Sequence, residues 1–320
     1  MLPEDFHLSR YRFDLEAVDP LHLSAYPGRT LRGGFGHAFK KMVCAQTDWR
    51  ACTPCRRGNA CPYGYIFEPT LPADSPVFPG MHEVTPPFII DAAQIRQQFY
   101  QPGEQLAFEV VLVGRADTYL PYFLLAFQEL GRMGLGHPPG RYVVQRISAV
   151  HPWQSVEELI YDGVNLRVGE CNLRVREPDI TTRAELLSTR QVTLHFLTPT
   201  RIKHRQQFVT VPAFHVLVRA LLRRISTLAA VHCGAAWDAD VHRLIAAAEA
   251  VAIREQALDW AVQGRFSGRQ QQRLDLSGLV GSITYAGNLE PFRPLLTLGA
   301  LVHVGKAAVL GHGKYRVESG

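Results

Sequence analysis

The sequence predicts an α+β chain made of two tandem ferredoxin-like modules, and three observations carry that expectation. Its 320 residues suffice for two domains of ordinary size, each able to bury its own core. Apolar residues make up 47% and charged residues 20%, the balance of a folded chain rather than a disordered one. In both halves, stretches of two-residue alternation exchange with stretches of 3.6-residue periodicity. The expected division is a first module over 1–150, a connector over 151–187 and a second module over 188–320.

Residues 6–18 open the first module as a strand, with Phe6, Leu8, Tyr11, Phe13 and Leu15 in loose alternation. Residues 29–45 come next as a helix, because Leu31, Phe35, Ala38, Phe39, Met42 and Val43 form one apolar stripe at helical spacing. A cysteine-bearing insertion occupies 44–61, and 69–88 is proline-rich and irregular. A strand over 106–116, a helix over 120–133 and a strand over 141–150 complete the module. That order fits a split βαβ unit with one strand hidden in the irregular region. The connector is a mixture of short strand-like pieces. In the second module, 190–199 alternates as a strand and Pro212 suits the first position of a helix reaching about 231. An alanine-rich helix is expected over 241–258, strands over 260–266 and 273–285, a helix over 289–301 and a glycine-marked last strand over 302–317.

No uninterrupted run of eighteen apolar residues exists, so no membrane span is expected, and the opening residues lack a secretory pattern; the expected location is cytoplasmic. The net charge is only +5, yet it is unevenly spread. Between positions 186 and 237 there is no Asp or Glu, while Arg190, Arg201, Lys203, Arg205, Arg219, Arg223 and Arg224 all fall there. A second cluster comprises Arg29, Arg32, Lys40, Lys41, Arg50, Arg56 and Arg57, with Asp48 its only acid. Two such patches favour a polyanionic partner such as a nucleic acid. Arg219 and Arg223, one helical turn apart, are spaced to grip successive phosphates. Near the C-terminus, Gly305, Gly311 and Gly313 lie among Lys306 and Lys314, which suits close approach of a phosphodiester backbone.

Cys44, Cys52, Cys55 and Cys61 stand at C-x7-C-x2-C-x5-C. Four thiolates so close together in a reducing compartment point to a tetrahedral structural metal site, with zinc the default and an iron–sulfur cluster its competitor. His37 falls opposite the apolar stripe of the first helix, with Lys41 one turn further along its face and Lys40 beside it. An ammonium nearby disfavours imidazole protonation, which suits a general base. Such a histidine could take the proton of a ribose 2′-hydroxyl while a lysine stabilises the phosphorane, and Tyr26, just before the helix, could donate a hydrogen bond. Neither basic patch is accompanied by a pair of carboxylates, which favours acid–base over metal-dependent phosphodiester chemistry. The phosphate-loop pattern fails at Gly313-Lys314-Tyr315, where Ser or Thr is required, and the dinucleotide fingerprint fails at Phe39.

Taken in order, several runs resemble the CRISPR-associated precursor-crRNA endoribonucleases of the RAMP superfamily. They are Gly28-Arg-Thr-Leu-Arg-Gly-Gly-Phe-Gly-His-Ala-Phe-Lys-Lys41, the cysteine loop, Cys61-Pro-Tyr-Gly-Tyr-Ile-Phe-Glu68, Thr198-Pro-Thr-Arg-Ile-Lys203, Leu221-Leu-Arg-Arg-Ile225, Leu279-Val-Gly-Ser-Ile-Thr-Tyr285 and His303-Val-Gly-Lys-Ala-Ala-Val-Leu-Gly-His-Gly-Lys-Tyr315. The resemblance implies two ferredoxin-like RNA-recognition modules and metal-independent cleavage within CRISPR repeats, leaving 2′,3′-cyclic phosphate and 5′-hydroxyl ends. It places the active histidine at His37, a supporting lysine at Lys41 or Lys40, and a tyrosine at Tyr26. The glycine-rich RNA loop falls at Gly305, Gly311 and Gly313, with His303 and His312 as reserve contacts. His312 departs from the family pattern, which tends to have an apolar residue there. The implied partners are CRISPR repeat RNA and a CRISPR effector complex; the alternative is a non-catalytic RNA-binding RAMP subunit of such a complex.

Overall fold

A computed structural model describes residues 2–45, 58–71, 84–165, 167–169, 171–234, 237, 239–262, 264–267 and 272–320. The chain divides into two units. One comprises Phe6–Val175 together with Ala230–Ala235, and the other comprises Met1–Asp5, Arg176–Ala229 and Ala236–Gly320.

The unit beginning at Phe6 opens with strand β1 (His7–Ala17), succeeded by helices α1 (Pro27–Val43) and α2 (Pro62–Phe67). Then come β2 (Phe88–Asp91), β3 (Gln105–Val113), α3 (Leu120–Met133), β4 (Tyr142–Val150), β5 (Glu157–Asp162) and β6 (Arg167–Val168). The sheet order is β2-β3-β1-β4-β5-β6, with every neighbouring pair antiparallel. The first four strands with α1 and α3 make one β-α-β-β-α-β unit. The strand that the sequence hides is β2, which starts at the last residue of the proline-rich stretch; β5 and β6, from the connector, extend the sheet.

Phenylalanine ties the helices of this unit to the sheet. Phe13 of β1 lies 5.3 Å from Phe108 and 5.0 Å from Phe127 between ring centroids. Phe35 of α1 stacks on Phe127 at 4.6 Å and meets Phe123 at 4.7 Å. All five rings are fully buried, each contributing roughly 1.5–3 kcal/mol by leaving water. Close approach of α1 to α3 needs Gly34, where a Cβ would stand 2.5 Å from Leu130 Cδ1. Helix α3 starts with Pro121 in its first turn and stops at Gly134, whose φ of 92° a side chain would resist. Residues 230–235 join this unit through His232, whose ring nitrogens bond the Tyr65 hydroxyl at 3.2 Å and the Thr85 carbonyl at 2.8 Å.

In the other unit, α4 (Glu177–Glu185), β7 (Gln191–Thr200), α5 (Phe214–Leu228) and α6 (Val241–Glu249) precede β8 (Ala252–Ala261), β9 (Gly278–Ala286), α7 (Arg293–Val302) and β10 (Tyr315–Ser319). Its antiparallel sheet runs β8-β9-β7-β10. Again this is the β-α-β-β-α-β order.

Three sequence expectations change here. The helix expected over 241–258 ends at Glu249, and Ala252–Ala261 is a strand paired with β9. Asp240 caps the short helix through Arg243 N at 2.9 Å, but pairing along β9 overrides the helical preference of the residues beyond it. Pro212 lies just outside α5, where its carbonyl accepts the Tyr285 hydroxyl at 2.7 Å. The last strand is confined to Tyr315–Ser319, because positive φ angles at His303, Gly305, Ala307, Gly311 and Gly313 fold the preceding residues into a loop. Among the described residues, no helix is long and apolar enough to cross a membrane.

Candidate active site and nucleic-acid interface

Helix α1 separates its two faces sharply. Leu31, Phe35, Ala38 and Phe39 are fully buried, whereas Gly33, His37 and Lys41 are exposed. Spacings of four residues put Gly33, His37 and Lys41 on one stripe. Lys41 Nζ lies 3.1 Å from Glu129 Oε1 on α3, and Arg132 stands 3.5 Å from Glu129 Oε2. The Lys41 hydrogen bond, more than the charge of Arg132, holds the Glu129 carboxyl below its usual range.

Gly33, Gly34 and Gly36 sit in the middle of this helix, and they differ in surroundings. At Gly34 a side chain would meet Leu130, and at Gly36 it would meet Arg32 Nη1 at 2.7 Å and Phe67 Cε1 at 3.3 Å. At Gly33 nothing among the described residues lies within 4 Å. The helix backbone is therefore bare one turn before His37.

Two of the four expected catalytic residues are placed elsewhere. Lys40 is 6% exposed, with its ammonium 4.9 Å from the centroid of the Tyr63 ring of α2, so it faces the interior rather than the His37 stripe. Helical rotation by one residue separates it from Lys41 and gives it to the core side. Tyr26 is exposed and occupies the N-cap of α1. Eleven residues of helix put it about 16 Å from His37 along the axis, farther than the two side chains reach. Arg32 lies 4.8 Å over the Phe67 ring, and Arg29 is half-buried at the helix start.

In the other unit, Arg219 and Arg223 are both exposed on α5, as their spacing requires. Arg224 is not a surface cation. It is 9% exposed, its Nε donates to the Val302 carbonyl at 2.6 Å, and burial lowers its pKa to about 10. Lys203 is exposed at the base of a small hairpin, Lys203–His204 paired with Gln207–Phe208, and Arg201 stacks on Phe208 at 4.1 Å. The turn holds Arg205 at φ 47° and Gln206 at φ 67°, left-handed conformations that side chains resist. His204 lies 6.0 Å from His215, and desolvation, then Arg205, His215 and Arg219, push its pKa down. Sequence reasoning gave His204 no role and passed over His215 and Phe208; the one available sign was the aromatic and imidazole residues interleaved with that basic run.

The terminal glycine loop is built differently from the expectation. Its glycines serve close contacts within the protein. A Cβ at Gly305 would stand 2.4 Å from the Arg201 carbonyl, and one at Gly313 would collide with the Val304 carbonyl. Backbone amides are consumed internally as well: Lys306 N donates to Arg201 O at 3.0 Å, Gly313 N to Pro199 O at 3.1 Å and Gly311 N to Ala308 O at 2.9 Å. Lys314 N donates to Thr198 Oγ1 at 2.9 Å. His303 and His312, expected as reserve contacts, are 1% and 4% exposed, with His303 Nδ1 bonded to the His312 carbonyl at 3.1 Å. Gly311 and Gly313 are buried, Gly305 and Lys314 half-buried, and Lys306 exposed. The loop is a tied knot that displays Lys306.

Cys44 ends α1 and Cys61 caps α2, both half-exposed and neither in a disulfide among the described residues. Cys52 and Cys55 lie outside the described residues. Among the described residues, no group of three or more His, Cys, Asp or Glu side chains is placed to hold a metal ion.

Residues 6–173 match the AF_1859_N N-terminal domain model, and residues 194–315 match the model described as CRISPR-associated endoribonuclease Cas6. No curated protein matches the chain. Among solved structures, a Cas6 product complex is similar at a TM-score of 0.57 and 15% identity, covering 97% of this chain and 99% of the other. Cas6 from Thermus thermophilus gives 0.54 at 13% identity, with 98% and 99% covered. A partial Cas6-RT-Cas1–Cas2 complex gives 0.62 at 12% identity over the whole of this chain and 47% of the other, so the present chain spans about half of that longer one. At these identities the likeness is one of fold.

Proposed function

We propose that the chain belongs with the CRISPR-associated endoribonucleases described by the model over residues 194–315, and that it cuts precursor RNA within CRISPR repeats without a catalytic metal. The observation that carries this reading is the exposed His37 on a stripe whose preceding turn is bare at Gly33. A phosphodiester backbone can come close to that face, and an imidazole there can take the proton of a ribose 2′-hydroxyl. Attack on the adjacent phosphorus breaks the P–O5′ bond, so the 5′ fragment ends in a 2′,3′-cyclic phosphate and the other in a 5′-hydroxyl once its oxygen is protonated. Lys41 supplies positive charge one turn away, shared with Glu129, and stabilises the dianionic phosphorane. Two tandem ferredoxin-like modules then act as the RNA-recognition scaffold, with Arg201, Lys203, Arg219, Arg223 and Lys306 on phosphates.

Purified protein incubated in EDTA with repeat-containing RNA tests the proposal. Cleavage is expected with wild type, lost with His37→Ala while RNA binding persists, and blocked by a 2′-deoxy nucleotide on the 5′ side of the scissile phosphate. Cleavage undiminished in His37→Ala overturns the assignment.

A second reading has its own support. With Lys40 turned inward and Tyr26 far along the helix, the catalytic set is thinner than the sequence suggested, which suits a non-catalytic RNA-binding subunit. Repeat RNA bound but never cut by wild type selects it. In either case the partners are repeat RNA and a CRISPR complex, as the Cas6-RT-Cas1–Cas2 neighbour suggests. The proposal also retains a structural zinc at Cys44, Cys52, Cys55 and Cys61, tying the end of α1 to the start of α2. Elemental analysis is expected to find zinc in wild type and to lose it in Cys52→Ser; iron or no metal in wild type refutes it.

A further inference from the structure

Away from α1, the unit beginning at Phe6 holds a cleft of about 360 Å³ between α3 and strands β4 and β5. That volume falls in the range of small-molecule sites, roughly 300–1,000 Å³. Its walls are apolar, from Leu124, Ile147 and Ile160, and the Tyr161 ring stands beside them. Gln128 Nε2 fixes that ring by donating to its hydroxyl at 2.9 Å.

One end of the cleft is polar. Asp117 keeps only 7% of its side chain exposed. Its Oδ2 accepts from Ser9 Oγ at 2.8 Å and from Arg174 Nε at 3.0 Å, whereas Oδ1 accepts only a long bond of 3.3 Å from the Tyr11 hydroxyl. Oδ1 therefore has capacity for a further donor. Arg174 is 37% exposed and uses only Nε on Asp117, so its terminal nitrogens, which make no other hydrogen bond among the described residues, are available beside that acceptor. A carboxylate oxygen and guanidinium donors side by side, in a cleft with apolar walls, match a flat heterocycle whose edge presents a donor next to an acceptor.

We propose that this cleft receives a nucleobase whose edge presents an N–H donor beside an acceptor, the N–H donating to Asp117 Oδ1 and the acceptor bonded by Arg174. Adenine, cytosine, guanine and uracil each carry such a pair, and an abasic ribose does not. The base is a flipped nucleotide of a bound strand or a free nucleotide. Only the expectation of a strand-borne base rests on the RNA-processing reading.

The test is calorimetric titration of the full chain with short oligo(A), oligo(C) and oligo(U) RNA and an abasic oligomer of the same length, and with AMP, CMP, UMP and ribose 5-phosphate. The base-bearing oligomers are expected to bind about tenfold more tightly than the abasic one, the worth of one well-paired base edge. Leu124→Trp, which fills the cleft, and Arg174→Gln, at a partly exposed position, are each expected to erase the preference; thermal melts confirm which variants fold. Tight binding of AMP, CMP or UMP but not ribose 5-phosphate identifies a free nucleotide, and discrimination seen only with oligomers identifies a strand-borne base. Equal binding with and without a base, or a preference that survives in a folded variant, overturns the inference. Repeat-RNA cleavage by the same variants keeps the two ideas separate, since a failed nuclease that still discriminates base-bearing from abasic strands leaves the cleft standing.

Discussion

Substituting alanine at Gly33 and at Gly34 gives two neighbouring changes of opposite expected sign. A glycine inside a helix costs about 1 kcal/mol relative to alanine, through backbone entropy in the unfolded chain. At Gly33 the added methyl meets nothing within 4 Å among the described residues, and the position is exposed, so no contact in the folded state offsets that gain. For a unit of this size, 1 kcal/mol corresponds to about 2–4 °C in Tm. At Gly34 the methyl would stand 2.5 Å from Leu130 Cδ1 and 3.1 Å from Cδ2, and Leu130 is only 2% exposed. Moving a packed leucine costs about 1–3 kcal/mol, which cancels or outweighs the helix gain. Differential scanning calorimetry is the assay: Gly33→Ala raises the transition of this unit, and Gly34→Ala leaves it unchanged or lowers it. A Gly33→Ala protein that melts lower, or a Gly34→Ala protein stabilised as much as Gly33→Ala, refutes the distinction between a bare and a packed glycine. The same position tests access to the helix face. Gly33→Leu, if folded, is expected to slow repeat-RNA cleavage by about tenfold or more, because displacement of the strand by a side chain misaligns attack.

Arg224→Met removes a buried charge whose depressed pKa, about 10 against the usual 12.5, corresponds to a cost of about 3 kcal/mol at neutral pH. It also removes the hydrogen bond to Val302, worth about 1.5–3 kcal/mol. Chemical denaturation is therefore expected to find it within about 1.5 kcal/mol of wild type. Burial raises the Asp117 carboxyl above its ordinary value of 3.8, so the folded protein holds a proton that the unfolded chain has released. Stability from this group falls as pH rises through the window above 3.8, and Asp117→Asn is expected to flatten that part of the stability–pH curve; an unchanged slope contradicts it. Lys306→Gln is expected to reduce the salt slope of single-strand RNA binding by about 0.7, one phosphate contact, whereas no change in slope removes Lys306 from the interface.

Helix α3 and strand β1 were legible because each carries its own periodicity: one face of phenylalanine and leucine, and a run of inward-pointing alternate residues. His37 was legible for the same reason, since a helical wheel fixes which side of α1 is wet. Strand β8 was not, because its residues are largely exposed and only pairing with β9 makes them a strand. Lys40 and Lys41 are alike in sequence, and a ring contributed by α2 separates them. The cleft beside Asp117 collects residues from β1, the turn before α3, α3 itself, β4, β5 and the segment reaching Arg174, and no local pattern announces such a gathering.

Amino-acid order was sufficient for whatever depends on a residue's neighbours within a turn or a strand: two α+β halves, an imidazole on the wet side of the first helix, and arginines one turn apart on another. Long-range packing settled the rest. It turned the terminal glycines inward, where Arg201 and Val304 carbonyls leave no room for a side chain, and it took Arg224 out of the basic surface. Periodic stretches choose their backbone conformation locally, but the pairing that makes β8 a strand and the groups that share space depend on contacts made many residues apart, and those are fixed only when the sheets close.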